Sequence, residues 1–336
     1  MYAGISWDAI GYQVAVVDQS CEEVISPLRF HADNFDSMID FLRRESREVV
    51  IDSTNGLLDG MLIDAGLTVY RAALRKPEER GLINSIPATV LAAESVSGRS
   101  LLTRLEAGQG THLGRDQAIS DGFQAGVAAV NDQPGPGRFV AHGLRTSPRV
   151  ALTFDDGPCP PYTDQILDIL SYYRVPATFF CAGLQAISHA GHVRRILCQG
   201  SALGNHTWSH PLPVDLSIPQ LDEQLRRTGE VLASAGADEP PMLFRPPYGA
   251  LLPGPYTWPR EKEMTTVFWD VDSKDWSMPG ADSIARTVLD KVQSGSIVLM
   301  HDGGGVRSQT VEALPTIIET LLDRRYQLVR VNDILG

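Results

Sequence analysis

The chain has 336 residues, a length that predicts about two domains with room for a sizeable core. Its composition, 43% hydrophobic and 21% charged, is typical of globular proteins and excludes disordered, collagenous and coiled-coil chains. The formal net charge of −12 disfavours a nucleic-acid partner, because an acidic surface repels phosphate backbones.

Neither an export signal nor a membrane segment is expected. The first residues, Met1–Asp8, lack the basic and apolar regions of a signal peptide. The longest apolar runs, such as Ser296–Met300, fall far short of the ~20 residues of a spanning helix. We therefore expect a cytoplasmic protein. The cysteines show no zinc-ribbon spacing and are expected to be thiols.

Short predicted strands and helices follow one another in the N-terminal part of the chain. Three strand-like runs come first: Tyr2–Trp7, Tyr12–Val17 and Glu23–Phe30. Four further elements follow: a helical repeat from Phe35 to Leu42, a strand at Val49–Asp52, a helix at Leu57–Ala65 ended by Gly66, and a strand at Leu67–Arg71. This order predicts a β-meander within a compact α/β unit.

The same stretch resembles the ribonuclease-H-like domain of a group of insertion-sequence transposases, whose first strand reads Gly-Ile-Asp. Here the strand reads Gly4-Ile5-Ser6, so Ser6 replaces the first metal-binding carboxylate. Asp52 stands where the second carboxylate could be. We therefore expect residues 1–105 to form a ribonuclease-H-like α/β domain that is not catalytic.

Residues 106–148 are rich in glycine and proline and predict a connector, with its clearest break at Asn131–Arg138. One helix could lie at Ala118–Val130. From Arg149 onward, strands alternate with helices. The strand runs are Val150–Phe154, Ala177–Phe180, Ser201–Gly204, Met242–Phe244, Thr266–Val271, Ser296–Met300 and Tyr326–Val331. The helical runs are Thr163–Tyr173 (capped by Thr163), Gly191–Cys198, Ser217–Ala235, Asp282–Gln293 and Thr310–Leu322. This alternation predicts a domain over 149–336 built as a closed or nearly closed parallel barrel, with its chemistry at the C-terminal strand ends.

Polar motifs follow several of these strands. Two adjacent carboxylates, Asp155 and Asp156, end the first strand. Taken alone, this pair is also what an ordinary acidic turn would contain. His206 and His210 have the i, i+4 spacing that lets two imidazoles reach one metal, although structural histidines are an alternative. Arg245 lies in a proline-stiffened loop that suits either carboxylate binding or a structural role. Three further polar or aromatic residues stand at later strand ends: Asp275, Trp276 and His301.

Taken in this order, the five motifs resemble the polysaccharide deacetylase family, also called the NodB-homology domain or carbohydrate esterase family 4, over residues 149–336. The resemblance implies a deformed (β/α) barrel. It also implies that Asp156, His206 and His210 hold a divalent metal. Zinc is the first choice for these ligands, and cobalt, nickel and iron fit the same set.

The resemblance assigns further roles. Asp155 would be the general base, oriented by Arg245, and His301 the general acid, tuned by Asp275. The backbone N–H of Tyr248 would help to stabilise the oxyanion. Three residues would contact substrate: Pro247, Trp276 and Leu299.

These roles predict a metal-dependent hydrolase that removes an N-acetyl or similar acyl group from an amino sugar or a soluble biosynthetic intermediate. The substrate would be a small molecule or an oligosaccharide. One alternative is another C–N hydrolase on the same scaffold, acting on a ureide, cyclic imide or formamide. Another is a non-enzymatic binding protein. Cys159 is interpreted as a packed loop thiol rather than a ligand or nucleophile, and Ala250–Pro259 as either a substrate cleft or an irregular loop.

Overall fold

The computed structural model describes residues 1–46, 48–52, 56–72, 85–105, 139–211, 213, 216–237, 242–249 and 263–335. The expected helix at Ala118–Val130 and the segment Ala250–Pro259 lie outside these residues. Within the described ranges, no helix combines the length and the apolar character needed to cross a membrane.

A six-stranded mixed sheet forms the N-terminal unit. Its strands are β1 (Tyr2–Trp7), β2 (Gly11–Val17), β3 (Glu23–His31), β4 (Glu48–Ile51), β5 (Thr68–Arg71) and β6 (Thr103–Arg104). The order in the sheet is β3-β2-β1-β4-β5-β6. The first three strands are antiparallel neighbours, whereas β4 and β5 run parallel to β1. The predicted β-meander and α/β unit are therefore confirmed.

Among the described residues, three helices pack on this sheet: α1 (Phe35–Glu45), α2 (Gly56–Asp64) and α3 (Ala88–Ser97). A Cβ on Gly4 of β1 would lie 2.1 Å from the backbone oxygen of Ala88, so α3 packs directly on the strand where only glycine fits. Asp52 is buried, and its Oδ2 accepts a hydrogen bond from the backbone N–H of Ile86. This carboxylate thus supports the local backbone. The ribonuclease-H-like, non-catalytic character of the unit stays a prediction.

The C-terminal sheet is a curled parallel sheet. Its strands are β7 (Phe139–Val140), β8 (Arg149–Asp155), β9 (Thr178–Cys181), β10 (Ala202–Asn205), β11 (Leu243–Phe244), β12 (Thr265–Val267), β13 (Val271–Asp272), β14 (Ile297–His301) and β15 (Gln327–Leu328). The order is β13-β14-β8-β9-β10-β11-β12-β7, and β15 also pairs with β8. All of these pairings are parallel. Strand β7 lies in the segment predicted as a connector.

Helices pack around the outside of this barrel. They are α4 (Tyr162–Tyr173), α5 (Gly183–Ser188), α6 (Ala190–Cys198), α7 (Ile218–Ser234), α8 (Ala281–Lys291), α9 (Ser308–Asp323) and α10 (Val331–Leu335). The main core lies between the strands and these helices, where Phe154 of β8 stacks on Phe179 of β9 with ring centroids 5.1 Å apart. The predicted deformed (β/α) barrel is confirmed.

Two local expectations were wrong. The run Thr266–Val271 is not one strand, because the chain changes neighbours within it: β12 pairs with β7, whereas β13 pairs with β14. The chain therefore passes at this point from near one end of the strand order to the other end. Thr163 does not cap α4; its hydroxyl instead donates to Asp302 Oδ2 at 2.6 Å and accepts from the backbone N–H of Cys159 at 2.7 Å.

Candidate active site

The C-terminal ends of three barrel strands bring the predicted metal ligands and acid–base residues to one place. Strand β8 ends at Asp155, β10 leads into His206, and β14 ends at His301. Because parallel strands end on the same rim of a barrel, side chains far apart in sequence meet there.

Asp156, His206 and His210 form a buried cluster whose potential ligand atoms all lie within 4.8 Å of one another. Oδ1 of Asp156 lies 3.3 Å from Nε2 of His206 and 3.1 Å from Nε2 of His210. In the described part of the chain this is the cluster with metal-ligand spacing. The structure therefore brings the three predicted ligands together.

The other nitrogen of each histidine has its own partner. Nδ1 of His206 lies 2.7 Å from the carbonyl oxygen of Arg245, which can only accept, so Nδ1 carries the proton. Nδ1 of His210 lies 3.0 Å from the Tyr248 hydroxyl, and that hydroxyl lies 3.4 Å from the His210 carbonyl oxygen. With Nδ1 protonated, each Nε2 directs a lone pair toward the Asp156 carboxylate.

This arrangement fits a metal ion. Among the described residues no donor of good geometry satisfies the buried Oδ1 of Asp156, although two imidazoles face it. Burial lowers the pKa of His210, which favours the neutral, ligating form. One carboxylate and two neutral imidazoles suit zinc and other first-row divalent metals.

Left-handed backbone recurs around the cluster. Asp156 has a φ of 77°, Thr207 of 67°, His210 of 55° and Tyr248 of 62°. Non-glycine residues rarely adopt this conformation, and a β-branched threonine does so least readily. The loops that carry the ligands are therefore strained, which aims adjacent side chains into one pocket.

Asp155 is held beside the cluster by Arg245. Nη1 of Arg245 donates to Oδ1 of Asp155 at 2.7 Å and to Oγ1 of Thr153 at 2.7 Å. Its other nitrogens bind the backbone oxygens of Val267 and Phe268, each at 3.1 Å. The second oxygen of Asp155, Oδ2, lies 3.8 Å from Nε2 of His206 and so faces the cluster. A fully buried guanidinium therefore holds this carboxylate in one orientation.

His301 faces the same region from β14. Its Nδ1 lies 2.7 Å from Oδ1 of Asp275. Burial would lower the pKa of His301, but the Asp275 carboxylate outweighs it and raises the pKa to about 9. With Nδ1 bound to Asp275, Nε2 carries the transferable proton at neutral pH. The adjacent carboxylate, Asp302, binds Thr163 instead.

Relatives of this chain share the barrel that carries these residues. The model of the family described as "Polysaccharide deacetylase" matches residues 143–264. A peptidoglycan-N-acetylglucosamine deacetylase of Bacillus cereus is 39% identical over 188 residues, which are 55% of this chain and 87% of that protein. The chain belongs to the polysaccharide deacetylase family. A chitooligosaccharide deacetylase of Sinorhizobium fredii is 38% identical over 202 residues, covering 56% of this chain and 93% of that relative.

Solved structures of carbohydrate esterase family 4 share the same fold. A peptidoglycan N-acetylglucosamine deacetylase in complex with 4-naphthalen-1-yl-N-oxidanyl-benzamide superposes with a TM-score of 0.57 at 35% identity, over 60% of this chain and 93% of that one. A family pseudoenzyme from Bacillus anthracis gives 0.56 at 29% identity, over 60% of this chain and 70% of that one. Because this fold also occurs in a pseudoenzyme, the side chains of the site decide the activity.

The three predicted substrate-contact residues of this deacetylase differ in exposure. Trp276 is 39% exposed, and Nζ of Lys274 lies 5.4 Å from the centre of its ring. Pro247 and Leu299 are buried; Pro247 directly precedes Tyr248, and Leu299 lies two residues before His301 on β14. Trp276 is thus the one of the three with substantial surface to offer a ligand.

The sequence motifs did not predict some of the contacts in the deacetylase site. The hydroxyl of Tyr248 binds His210, although only its backbone N–H had been predicted to act. Thr153 accepts a hydrogen bond from Arg245. It lies two residues before Asp155 on β8, so both side chains point to the same face of the strand. Burial raises the pKa of Cys159 to about 12, which keeps it a neutral thiol, in agreement with a packed loop residue.

Proposed function

We propose that this deacetylase hydrolyses the N-acetyl group of an N-acetylglucosamine-type sugar with the help of a divalent metal held by Asp156, His206 and His210. The observation that carries the proposal is the buried cluster itself, with a carboxylate base on one strand end and a protonated histidine on another. An amide is a poor electrophile with a poor leaving group, and this set of groups meets both difficulties.

A bound divalent metal supplies Lewis-acid polarisation of the acetyl carbonyl and acidifies a water molecule. Asp155 accepts the proton of the attacking water at Oδ2, because Oδ1 is occupied by Arg245. His301 then donates the proton on Nε2 to the sugar nitrogen as the C–N bond breaks, while Asp275 stabilises the imidazolium. The backbone N–H of Tyr248 is proposed to stabilise the oxyanion.

The names of the relatives support an amino-sugar substrate. They include a peptidoglycan-N-acetylglucosamine deacetylase and a chitooligosaccharide deacetylase. Trp276 supports an amino-sugar substrate as well, since an exposed indole next to Asp275, the partner of His301, offers an apolar face for a sugar ring. We propose short chitooligosaccharides as the first substrates to test. The cytoplasmic location remains a prediction.

Acetate release from chitooligosaccharides of two to six sugars tests this function. The zinc-loaded wild type is compared with Asp155→Asn and His206→Ala, and the zinc content of each is measured. We expect both variants to lose acetate release, by about 10²–10⁴-fold for the base variant. Only His206→Ala should also lose zinc. The matched controls are Asp168→Asn and His192→Ala, which change a surface carboxylate and a surface histidine.

Three outcomes would contradict the proposal. Zinc binding without acetate release from any N-acetyl sugar would redirect the search to ureides, cyclic imides and formamides. Failure of the purified protein to bind any divalent metal would remove the basis of the mechanism. Full activity of Asp155→Asn would exclude that residue as the base.

A further inference from the structure

Helix α2 of the N-terminal unit packs on the glycine loop, Gly303–Gly305, which follows His301. A Cβ on Gly60 of α2 would lie 3.0 Å from the backbone oxygen of Gly304, so the two backbones are in direct contact. A Cβ on Gly304 would in turn lie 3.2 Å from Cδ2 of Leu57 and 2.4 Å from Oδ2 of Asp156. The glycine loop therefore fills the space between an N-terminal helix and the carboxylate of a metal ligand.

Charged side chains secure this contact. The buried Arg307 donates from Nε to the carbonyl oxygen of Gly303 at 2.7 Å and from Nη2 to that of Gly304 at 2.8 Å. Asp64, the last residue of α2, lies beside Arg307 and accepts a hydrogen bond from the backbone N–H of Val306. The far end of α2 is thus bound to the same loop through its carboxylate.

The segment between the two histidine ligands also reaches into the N-terminal unit. Trp208 is 1% exposed and belongs to the hydrophobic core of the N-terminal sheet. Its indole Nε1 donates to the backbone oxygen of Asp8 at 3.2 Å. Because Trp208 lies between His206 and His210, the N-terminal unit contacts the segment of these two ligands directly and reaches Asp156 through the glycine loop.

We propose that the N-terminal unit positions the metal site, with α2 holding the glycine loop against Asp156. This inference rests on the proposed function, since it concerns the same metal cluster. A glycine loop has no side chains to fix its distance from Asp156, so its place depends on what packs behind it. A displacement of a few tenths of an ångström would alter the orientation of a ligand oxygen, and groups that orient ligands strongly affect metal affinity.

Gly60→Ala tests the inference from the N-terminal side. The new methyl group would lie too close to Gly304 for normal contact, so the glycine loop must shift. Replacing a helical glycine by alanine also gains about 1 kcal/mol of helix propensity, which offsets loss of global stability. The matched control is Gly191→Ala in α6, where the nearest atom to the new Cβ would be Nη2 of Arg194 at 3.9 Å.

The measurements are zinc affinity by competition with a chelator, the melting temperature of the metal-free protein, and kcat and KM on chitooligosaccharides. For Gly60→Ala we expect zinc affinity to fall roughly tenfold or more and kcat to fall with KM little changed. Gly191→Ala should match the wild type. Leu57→Ala should weaken zinc binding in the same direction, whereas Leu57→Met, which keeps the packing volume, should restore it.

Wild-type zinc affinity and kcat in a folded Gly60→Ala protein would overturn the inference. If Gly60→Ala proves unstable, the Leu57 pair decides, and equal zinc affinity in Leu57→Ala and the wild type would overturn it instead. A wild type that binds zinc but releases no acetate contradicts the proposed substrate, while the zinc-affinity comparison still tests the positioning role. A wild type that binds no zinc contradicts both.

Discussion

Asp275 binds His301 twice: Oδ1 lies 2.7 Å from the ring Nδ1, and Oδ2 accepts a hydrogen bond from the His301 backbone N–H at 2.8 Å. Oδ2 also accepts a hydrogen bond from the Thr310 hydroxyl at 2.8 Å. With three donors around one carboxylate, the ring of His301 is held in a single orientation. Its Nε2 is directed away from Asp275 and remains available for proton transfer.

Asp275→Asn should move the alkaline limb of the pH–activity profile to lower pH. In the wild type, the Asp275 carboxylate raises the pKa of His301 to about 9, so the histidine keeps its proton at neutral pH. Without that charge, burial lowers the pKa and the acid form is lost sooner as pH rises. Profiles of kcat/KM from pH 5 to 10 measure the shift, with Asp272→Asn as a control. An unchanged alkaline limb would exclude His301 as the titrating acid.

The Asp275–His301 pair should also make the stability of the metal-free protein depend on pH. The pKa of His301 rises from 6.5 to about 9 on folding, so the stabilisation is complete below pH 6.5 and is lost as pH rises to 9. The difference corresponds to about 3 kcal/mol at most. Urea unfolding at pH 6, 7.5 and 9 should show this loss in the wild type but not in His301→Gln. Parallel pH dependence of the two proteins would contradict the coupling.

Arg245→Lys should abolish most activity and destabilise the barrel. A lysine ammonium cannot reproduce the planar fork that binds Asp155, Thr153 and two backbone oxygens at once. Poorly paired buried charge costs about 3–5 kcal/mol. Urea unfolding and kcat/KM measure the two effects. Thr153→Val, which removes one of the partners, should show smaller losses. Near-wild-type stability of Arg245→Lys would disprove a structural role for the full set of guanidinium donors.

Tyr248→Phe should weaken metal binding about 10–100-fold, because the hydroxyl that orients His210 is removed while the ring remains. Saturating zinc should therefore restore much of the acetate release. Zinc titration in competition with a chelator measures the affinity. Tyr172→Phe, which alters an exposed tyrosine, is the control. If zinc affinity is unchanged, the contact between Tyr248 and His210 has no role in holding the metal.

The barrel was predictable from sequence because each of its main strands is a short apolar run that ends in polar residues. The spacing of His206 and His210 predicted two ligands of the metal cluster, whereas the choice of Asp156 as the third came from the resemblance to the deacetylase family. Phe139–Val140 and the break within Thr266–Val271 were harder to predict. The pairing partner of a two- or three-residue strand depends on how the whole sheet curls. The hydrophobic periodicity of a short segment does not encode that curvature.

Contacts between distant segments were the other part that sequence did not predict. Threonine is a residue type preferred at helix N-caps, yet the hydroxyl of Thr163 donates a hydrogen bond to Asp302, a residue in the loop after β14. Trp208 lies within a metal-binding motif, yet it packs in the core of the N-terminal sheet. Propensity rules describe a residue by its neighbours in sequence, so a partner far along the chain goes undetected.

The left-handed backbone at Asp156, Thr207, His210 and Tyr248 implies a compromise between durability and activity. Each such residue costs on the order of 1–3 kcal/mol, which the packed barrel must offset. Selection for heat resistance alone would favour relaxing these positions, for example by glycine at Thr207. Relaxation there would loosen the segment between two metal ligands, so variants selected for thermal tolerance at this rim are expected to lose turnover.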